Sequence, residues 1–253
     1  MIVSIHQPHY FPWLGYFDKM AKSDRFILMD KVQYVPKTYM SRNTFITKNG
    51  SSKYLSVPVN KKGYQEKELR EIEVSKDTDW QKKHQNFFIE NYKSFPYFDE
   101  IYSKIEFIFN KEYKLLIEVQ HDSINILKEI LDIDTELVFQ SSLETVKIQL
   151  INEINLNGIN DRRCSDIIRI CKSAEASDYI TGKGASIEFI NSQMFCEESI
   201  KLHYQQYTSP KYRQRYTSEF IPNITALDFI LNCGIHEAKD IFWKTVHDGM
   251  EVL

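Results

Sequence analysis

The opening stretch of the chain, Ile2 to Tyr34, spells out one complete unit of an α/β sheet, and that unit constrains what the rest can become. A β-branched run, Ile2 to Ile5, stops at His6-Gln7-Pro8-His9. A helical pattern from Trp13 to Lys22 follows, and a second apolar run, Phe26 to Met29, ends on Asp30. Strand, helix, strand in so short a space predicts two parallel neighbours joined by a crossover helix. Open α/β sheets bind ligands beyond the carboxyl ends of their strands, which is where His6, Gln7, His9, Asp30 and Gln33 fall.

The same grammar returns later. Asp178-Tyr179-Ile180 reads as a strand, Thr181-Gly182-Lys183-Gly184-Ala185 as its loop, and a helix is expected to about Gln193, followed by a strand from Lys201 to Gln205. Between the two units, Thr44 to Thr47 and Tyr54 to Val57 flank a Lys48-Asn49-Gly50-Ser51-Ser52 turn and predict a β-hairpin. Lys61 to Glu71 reads as a polar loop and Ile72 to Val74 as a short strand. Asp79 caps a helix through Tyr92; Phe95-Pro96 ends it. Further helices fit Phe98 to Asn110, Glu112 to Leu131 and Asp161 to Ala174, with a short strand at Leu137 to Phe139 and a last helix from Thr225 to Gly234. The connection from Ser141 to Asn160 carries no clear pattern. The expected architecture is α/β: a mainly parallel open sheet with flanking helices, a single domain over 1–253, a hairpin insertion at about 38–60 and a helical insertion at about 79–131.

Composition narrows the function classes. A net charge of −3 removes the basic footprint of a general nucleic-acid binder, although a local anion site is compatible with it. Cys164, Cys171, Cys196 and Cys233 show neither CxxC nor His-paired metal spacing, so no metal site is expected and the thiols are read as reduced and mostly buried. Met1 to Ile5 runs directly into His6 and Gln7 without a signal-like apolar segment. No apolar stretch approaches the ~20 residues of a membrane span. A cytoplasmic protein with no membrane span is expected; the oligomeric state is left open.

Several residues bear chemistry. The imidazoles of His6 and His9 can serve as general acid or base, and Asp30 could orient either of them. Arg42 offers a bidentate fork to phosphate or carboxylate. The Gly182, Lys183, Gly184 loop can turn backbone N–H groups toward a phosphate at the start of a helix, or can simply be a tight βα turn. Tyr204 to Tyr216, with Gln205, Gln206, Tyr207, Tyr212 and Gln214, suits stacking on a base or sugar and also suits core packing. His84, His121, His203, His236 and His247 stand alone and read as structural or surface residues.

Two resemblances add to this. The strand–loop–helix grammar is similar to that of the HxGH-type nucleotidylyltransferases, but the comparable position reads Trp13-Leu14-Gly15-Tyr16, so the glycine is kept and both histidines are lost. The segment Gln7-Pro8-x-Tyr10-Phe11-Pro12-Trp13-Leu14-Gly15-Tyr16-Phe17, with Asp24, Asp30-x-Val32-Gln33 and Arg42-Asn43, closely resembles the WbqC-like family, and the likeness continues through Tyr179 to Ala185, Tyr207, Tyr212, Gln214 and Leu227-Asp228. That resemblance implies a place in O-antigen and other surface-polysaccharide (lipopolysaccharide) biosynthesis. It further implies a transferase of acyl or aminoacyl groups, glycyl included, to a nucleotide-linked amino sugar. It supports Gln7, Tyr10, Gly15, Tyr16, Asp30, Gln33, Arg42 and Asn43 as site or supporting residues, beside Trp13 and the catalytic candidates His6 and His9. The donor would be an acyl-CoA or acyl-carrier protein. The alternatives are an ATP-dependent adenylyl-type transferase or ligase, and a non-catalytic nucleotide-sugar binding protein.

Overall fold

A computed structural model describes residues 1–143, 150 and 158–250, without the side chains of 185, 249 and 250. Five parallel strands, β1 (Ile2–His6), β2 (Arg25–Leu28), β5 (Glu136–Phe139), β6 (Asp178–Thr181) and β7 (Lys201–Tyr204), pair in the order β5-β2-β1-β6-β7. The chain steps outward from β1 to β2 to β5, returns to the other side of β1 as β6, and steps outward again to β7. The loops that leave β1 and β6 therefore diverge, and the crevice between them is the switch point at which doubly wound sheets bind ligands.

Alternation along the strands divides the interior. Phe26 and Leu28 of β2 join a large core with α1 (Leu14–Ala21), α2 (Trp80–Tyr92), α3 (Phe98–Ile105), α5 (Leu116–Ile130), α8 (Ala226–Cys233) and α9 (Ile235–Met250). Val3, Ile5, Ile27 and Tyr179 point the other way and pack with α6 (Ile159–Ser173) and Phe195 of α7 (Ser192–Glu197). Helices on both faces follow from strands that are buried on both faces.

The hairpin forms as the Asn-Gly turn requires. β3 (Arg42–Ile46) pairs antiparallel with β4 (Ser52–Ser56), Gly50 takes φ +80°, and a Cβ there would stand 2.4 Å from the Tyr216 carbonyl oxygen. The helical insertion departs from expectation in two places. The helix from Phe98 breaks at Glu106 into α3 and α4 (Phe107–Asn110), and α5 begins only at Leu116. The delay has a cause: Glu118 accepts from the N–H groups of Lys114 and Leu115, while Leu116 N–H donates to Ile72 and Val74 N–H to Lys114. Ile72 to Val74 is accordingly held by isolated bridges, Val59 to Val74 and Glu73 to Leu115, instead of forming a regular strand.

The helix expected after Gly184 is also absent as a single element. Ala185–Glu188 makes a 3-10 turn, and α7 begins anew where the Asn191 side chain accepts from the N–H groups of Gln193 and Met194. Past Gly234 the chain continues as α9, a helix beyond the reach of the sequence pattern drawn above. Most of the unpatterned connection, 144–149 and 151–157, lies outside the described residues.

Candidate functional site

β1 delivers His6 to the crevice on the face shared with Ser4, whose hydroxyl donates to the Lys19 carbonyl of α1 (3.4 Å). Pro8 and Pro12 then fold the loop back over α1. Tyr16 of α1 donates to the Gln7 carbonyl (3.4 Å), and His6 Nδ1 lies 3.0 Å from the same oxygen. The rings of His6 and His9 meet edge to face at 4.7 Å; the Tyr16 ring is 4.7 Å from His6 and 5.3 Å from His9. His6 is half-buried, His9 is buried with no hydrogen-bond partner at Nδ1, and Tyr39 covers His9 at 5.5 Å.

Lys19 is near enough to influence both histidines electrostatically; it is 4% exposed, and its Nζ donates to the Ile5 carbonyl (2.9 Å). Burial disfavours its charge and pulls the ammonium pKa from 10.5 to about 7. Burial, then the Lys19 charge, then His9 push His6 well below its usual value. Burial and Lys19 bring His9 down to about 3. At neutral pH the centre thus holds two uncharged imidazoles beside an amine poised to gain or lose its proton. Burial also raises the Tyr16 phenol well above 10, so it stays a hydrogen-bond donor.

On the other side of the crevice, α1 carries a buried ion pair along its own length, Asp18–Lys22 (2.7 Å), to which the turn after β7 is fastened. Gln205, just past β7, donates to Asp18 Oδ2 (2.6 Å) and the Gly15 carbonyl (2.8 Å), and Lys22 donates to the Gln206 carbonyl (2.8 Å). Lys183 reaches Gln206 Oε1 (2.5 Å), and a Cβ on Gly182 would lie 3.9 Å from Gln205. The Gly182 to Gly184 loop therefore faces the Gln205–Gln206 turn beside α1, but it leads into a 3-10 turn and offers no helix N-terminus.

The WbqC-like protein family matches residues 7–240. The chain belongs to the WbqC-like family. It is also similar to a protein of Mycobacterium tuberculosis (strain ATCC 25618 / H37Rv) described as uncharacterized protein Rv1507c, at 29% identity over 238 residues, covering 94% of this chain and 96% of that one. No solved structure matches.

The WbqC-like motif separates into groups once placed. His6, His9, Tyr16 and the Gln7 backbone come together with Lys19. Trp13 packs edge-on against Tyr207 (5.4 Å) at the mouth of α1. Tyr10 turns away into the core, its hydroxyl 2.9 Å from His84 Nδ1, so His84 is a buried partner and not a surface residue. Asn43 is buried and donates to the Tyr10 and Phe11 carbonyls (3.2 and 2.6 Å), holding Phe11 at φ +42°. Asp30 accepts from the N–H and hydroxyl of Ser141 after β5, so the group it orients is Ser141 and not an imidazole. Gln33 is exposed and donates to the Gln65 carbonyl, while Arg42 lies over the Tyr54 ring (4.1 Å) on the hairpin.

Tyr212 and Gln214 belong to a further network: Tyr212 and Tyr92 both donate to Asp228 (2.9 Å each), and Gln214 exchanges hydrogen bonds with the Ile221 backbone. That network ties the hairpin, α2 and α8 together. Lys19 is the residue that sequence reasoning missed, with Asp18 and Lys22 beside it. Their signal was three charges, Asp18, Lys19 and the C-cap residue Lys22, on an otherwise apolar helical segment, and all three are buried. Among the described residues no three His, Cys, Asp or Glu side chains gather as a metal site, and no helix is long and apolar enough to cross a membrane.

Proposed function

We propose that this WbqC-like protein is a group-transfer enzyme of surface-polysaccharide assembly that moves an acyl or aminoacyl group onto the amine of a nucleotide-linked sugar. The observation that carries the reading is the buried Lys19 amine, tied to the Ile5 carbonyl at the end of β1 beside the His6, His9 and Tyr16 rings, where burial draws its pKa down to about 7. A general base works best when its pKa lies near the working pH. Lys19 fits that requirement; His9, at about 3, fits it poorly. In the proposed step the sugar amine attacks the acyl carbon of an acyl-CoA or acyl-carrier thioester, so a C–N bond forms and the C–S bond breaks. The amine proton passes through His6, the half-buried ring at the mouth, to Lys19, and returns to the departing sulfur. The Tyr16 hydroxyl and the Gln7 backbone keep His6 in place.

A second reading is supported by the strand order, whose switch point is the kind of crevice in which doubly wound folds bind nucleotides: an ATP-dependent adenylyl-type transferase or ligase that activates a carboxylate. Thermal-shift measurements with nucleotide sugars, nucleotides and acyl-CoA separate the two, because a ligand that binds only the folded state raises its melting temperature. The first reading expects shifts with a nucleotide-linked amino sugar and with acyl-CoA but none with ATP. A shift with ATP, together with pyrophosphate release when a carboxylic acid is supplied, selects the second.

A further inference from the structure

Away from the switch point, the base of the hairpin encloses a pocket of about 330 Å³. Its lining brings together Arg42, Lys37 and Lys61 with the rings of Tyr34 and Tyr64, closed by Val59 and its neighbours, and no acidic side chain takes part. Among the described residues none of the three cations has a carboxylate partner within ion-pair distance. By contrast, Arg70 pairs with Glu68 and Lys67 with Glu73 on the adjoining surface. Three uncompensated charges around one concavity raise the local concentration of anions.

The pocket is also shaped. Arg42 sits opposite Ser56 across the hairpin, so its diagonal neighbour Tyr54 can receive the guanidinium on its ring at 4.1 Å. That stacking fixes the plane of the guanidinium and leaves its N–H edge for a ligand. Tyr34 is buried and held by Ser41 (2.8 Å), and its ring meets Tyr64 edge to face at 5.9 Å. A cationic rim around an apolar, aromatic wall selects an anion that carries a flat body. A volume near the lower end of the roughly 300–1,000 Å³ range of ligand sites suits one such unit.

We infer that this pocket binds the nucleoside diphosphate end of the substrate, with Arg42, Lys37 and Lys61 on the phosphates and Tyr34 and Tyr64 beside the base. The inference rests on the nucleotide-linked substrate proposed above; of the two phosphate candidates in the sequence, Arg42 and the Gly182 to Gly184 loop, it keeps Arg42 and leaves out the loop. The 34–42 segment connects the pocket to the candidate centre: Ser41 lines the pocket, and Tyr39, two residues earlier, covers His9.

Isothermal titration of the full chain with adenosine, guanosine, uridine and thymidine diphosphates and with inorganic pyrophosphate tests this. At least one nucleoside diphosphate should bind more tightly than pyrophosphate. Arg42→Gln and Lys61→Gln should each weaken it by about tenfold or more, with Arg42→Lys in between, and added salt should weaken the wild type. Lys61 is exposed, so its variant folds regardless of any cost at Arg42. Wild-type affinity in both glutamine variants, or a loss confined to Lys183→Gln, overturns the pocket assignment and leaves the nucleotide-linked substrate standing. Absence of any nucleoside diphosphate binding to the wild type overturns both.

Discussion

Lys19 is where the account is most exposed to test. Its charged form is favoured in the unfolded chain up to pH 10.5 but in the folded protein only up to about 7. Between those values the unfolded state binds more protons, so the stability contributed by this residue rises with pH. Below pH 7 the full cost of the buried ammonium is present, at most about 5 kcal/mol at 1.36 kcal/mol per pH unit. Lys19→Met keeps the stem and removes the charge. In urea unfolding it should gain stability relative to wild type at pH 6.5, and that gain should shrink by pH 9.5. A difference independent of pH would mean that Lys19 is hydrated. His6, His9 and Tyr16 were legible because strand, loop and helix put them in one short stretch. Lys19 was not, because a lysine on an eight-residue helix looks like a surface charge until the sheet and α9 are known to enclose that helix.

At the scale of elements, the loop from Gln7 to Trp13 keeps its shape through packing at both ends. A Cβ on Gly15 would stand 2.2 Å from the Trp13 ring. Gly15→Ala should therefore displace Trp13 from Tyr207, with an overpacking cost of about 1–3 kcal/mol, measurable as a lower urea midpoint and altered tryptophan fluorescence. Asn43→Ala removes both donors that hold the Tyr10 and Phe11 carbonyls and should cost about 2–3 kcal/mol; a loss under 0.5 kcal/mol would contradict its clamping role. The elements themselves were readable where local chemistry decides them: the Asn-Gly hairpin, the Asp79-capped α2, the Thr225-capped α8. They were unreadable where tertiary hydrogen bonds decide. α5 starts late because Ile72 to Val74 binds its first residues, and α7 restarts at Asn191 after a 3-10 turn that no periodicity announces.

For the whole molecule, the parallel sheet could be anticipated from its repeated strand–helix grammar, but the order β5-β2-β1-β6-β7 could not, since it depends on which side of β1 the chain returns to. That order creates the crevice, and burial across the whole molecule sets a further expectation. His9 and His84 are buried and titrate near 3, while their unfolded counterparts protonate near 6.5. Stability supplied by each is complete above pH 6.5 and is lost as pH falls toward 3. Asp228 works in the opposite sense: its pKa is raised from 3.8 to about 6, so the cost of its buried charge is complete above 6 and is relieved on acidification. Two histidines with the larger displacements outweigh one aspartate. The urea midpoint should fall steadily from pH 6.5 to 4, and His84→Asn should flatten the slope.

The central claim is that the Lys19, His6 and His9 cluster performs the transfer. Its most direct test is mass-spectrometric detection of a new amide on a nucleotide-linked amino sugar, supplied with acyl-CoA or an acyl-carrier thioester, for wild type, Lys19→Met and His6→Ala. The account predicts product with wild type and a loss of roughly 10²–10⁴-fold in Lys19→Met while nucleotide-sugar binding is kept. Product formation at the wild-type rate in both variants would contradict it.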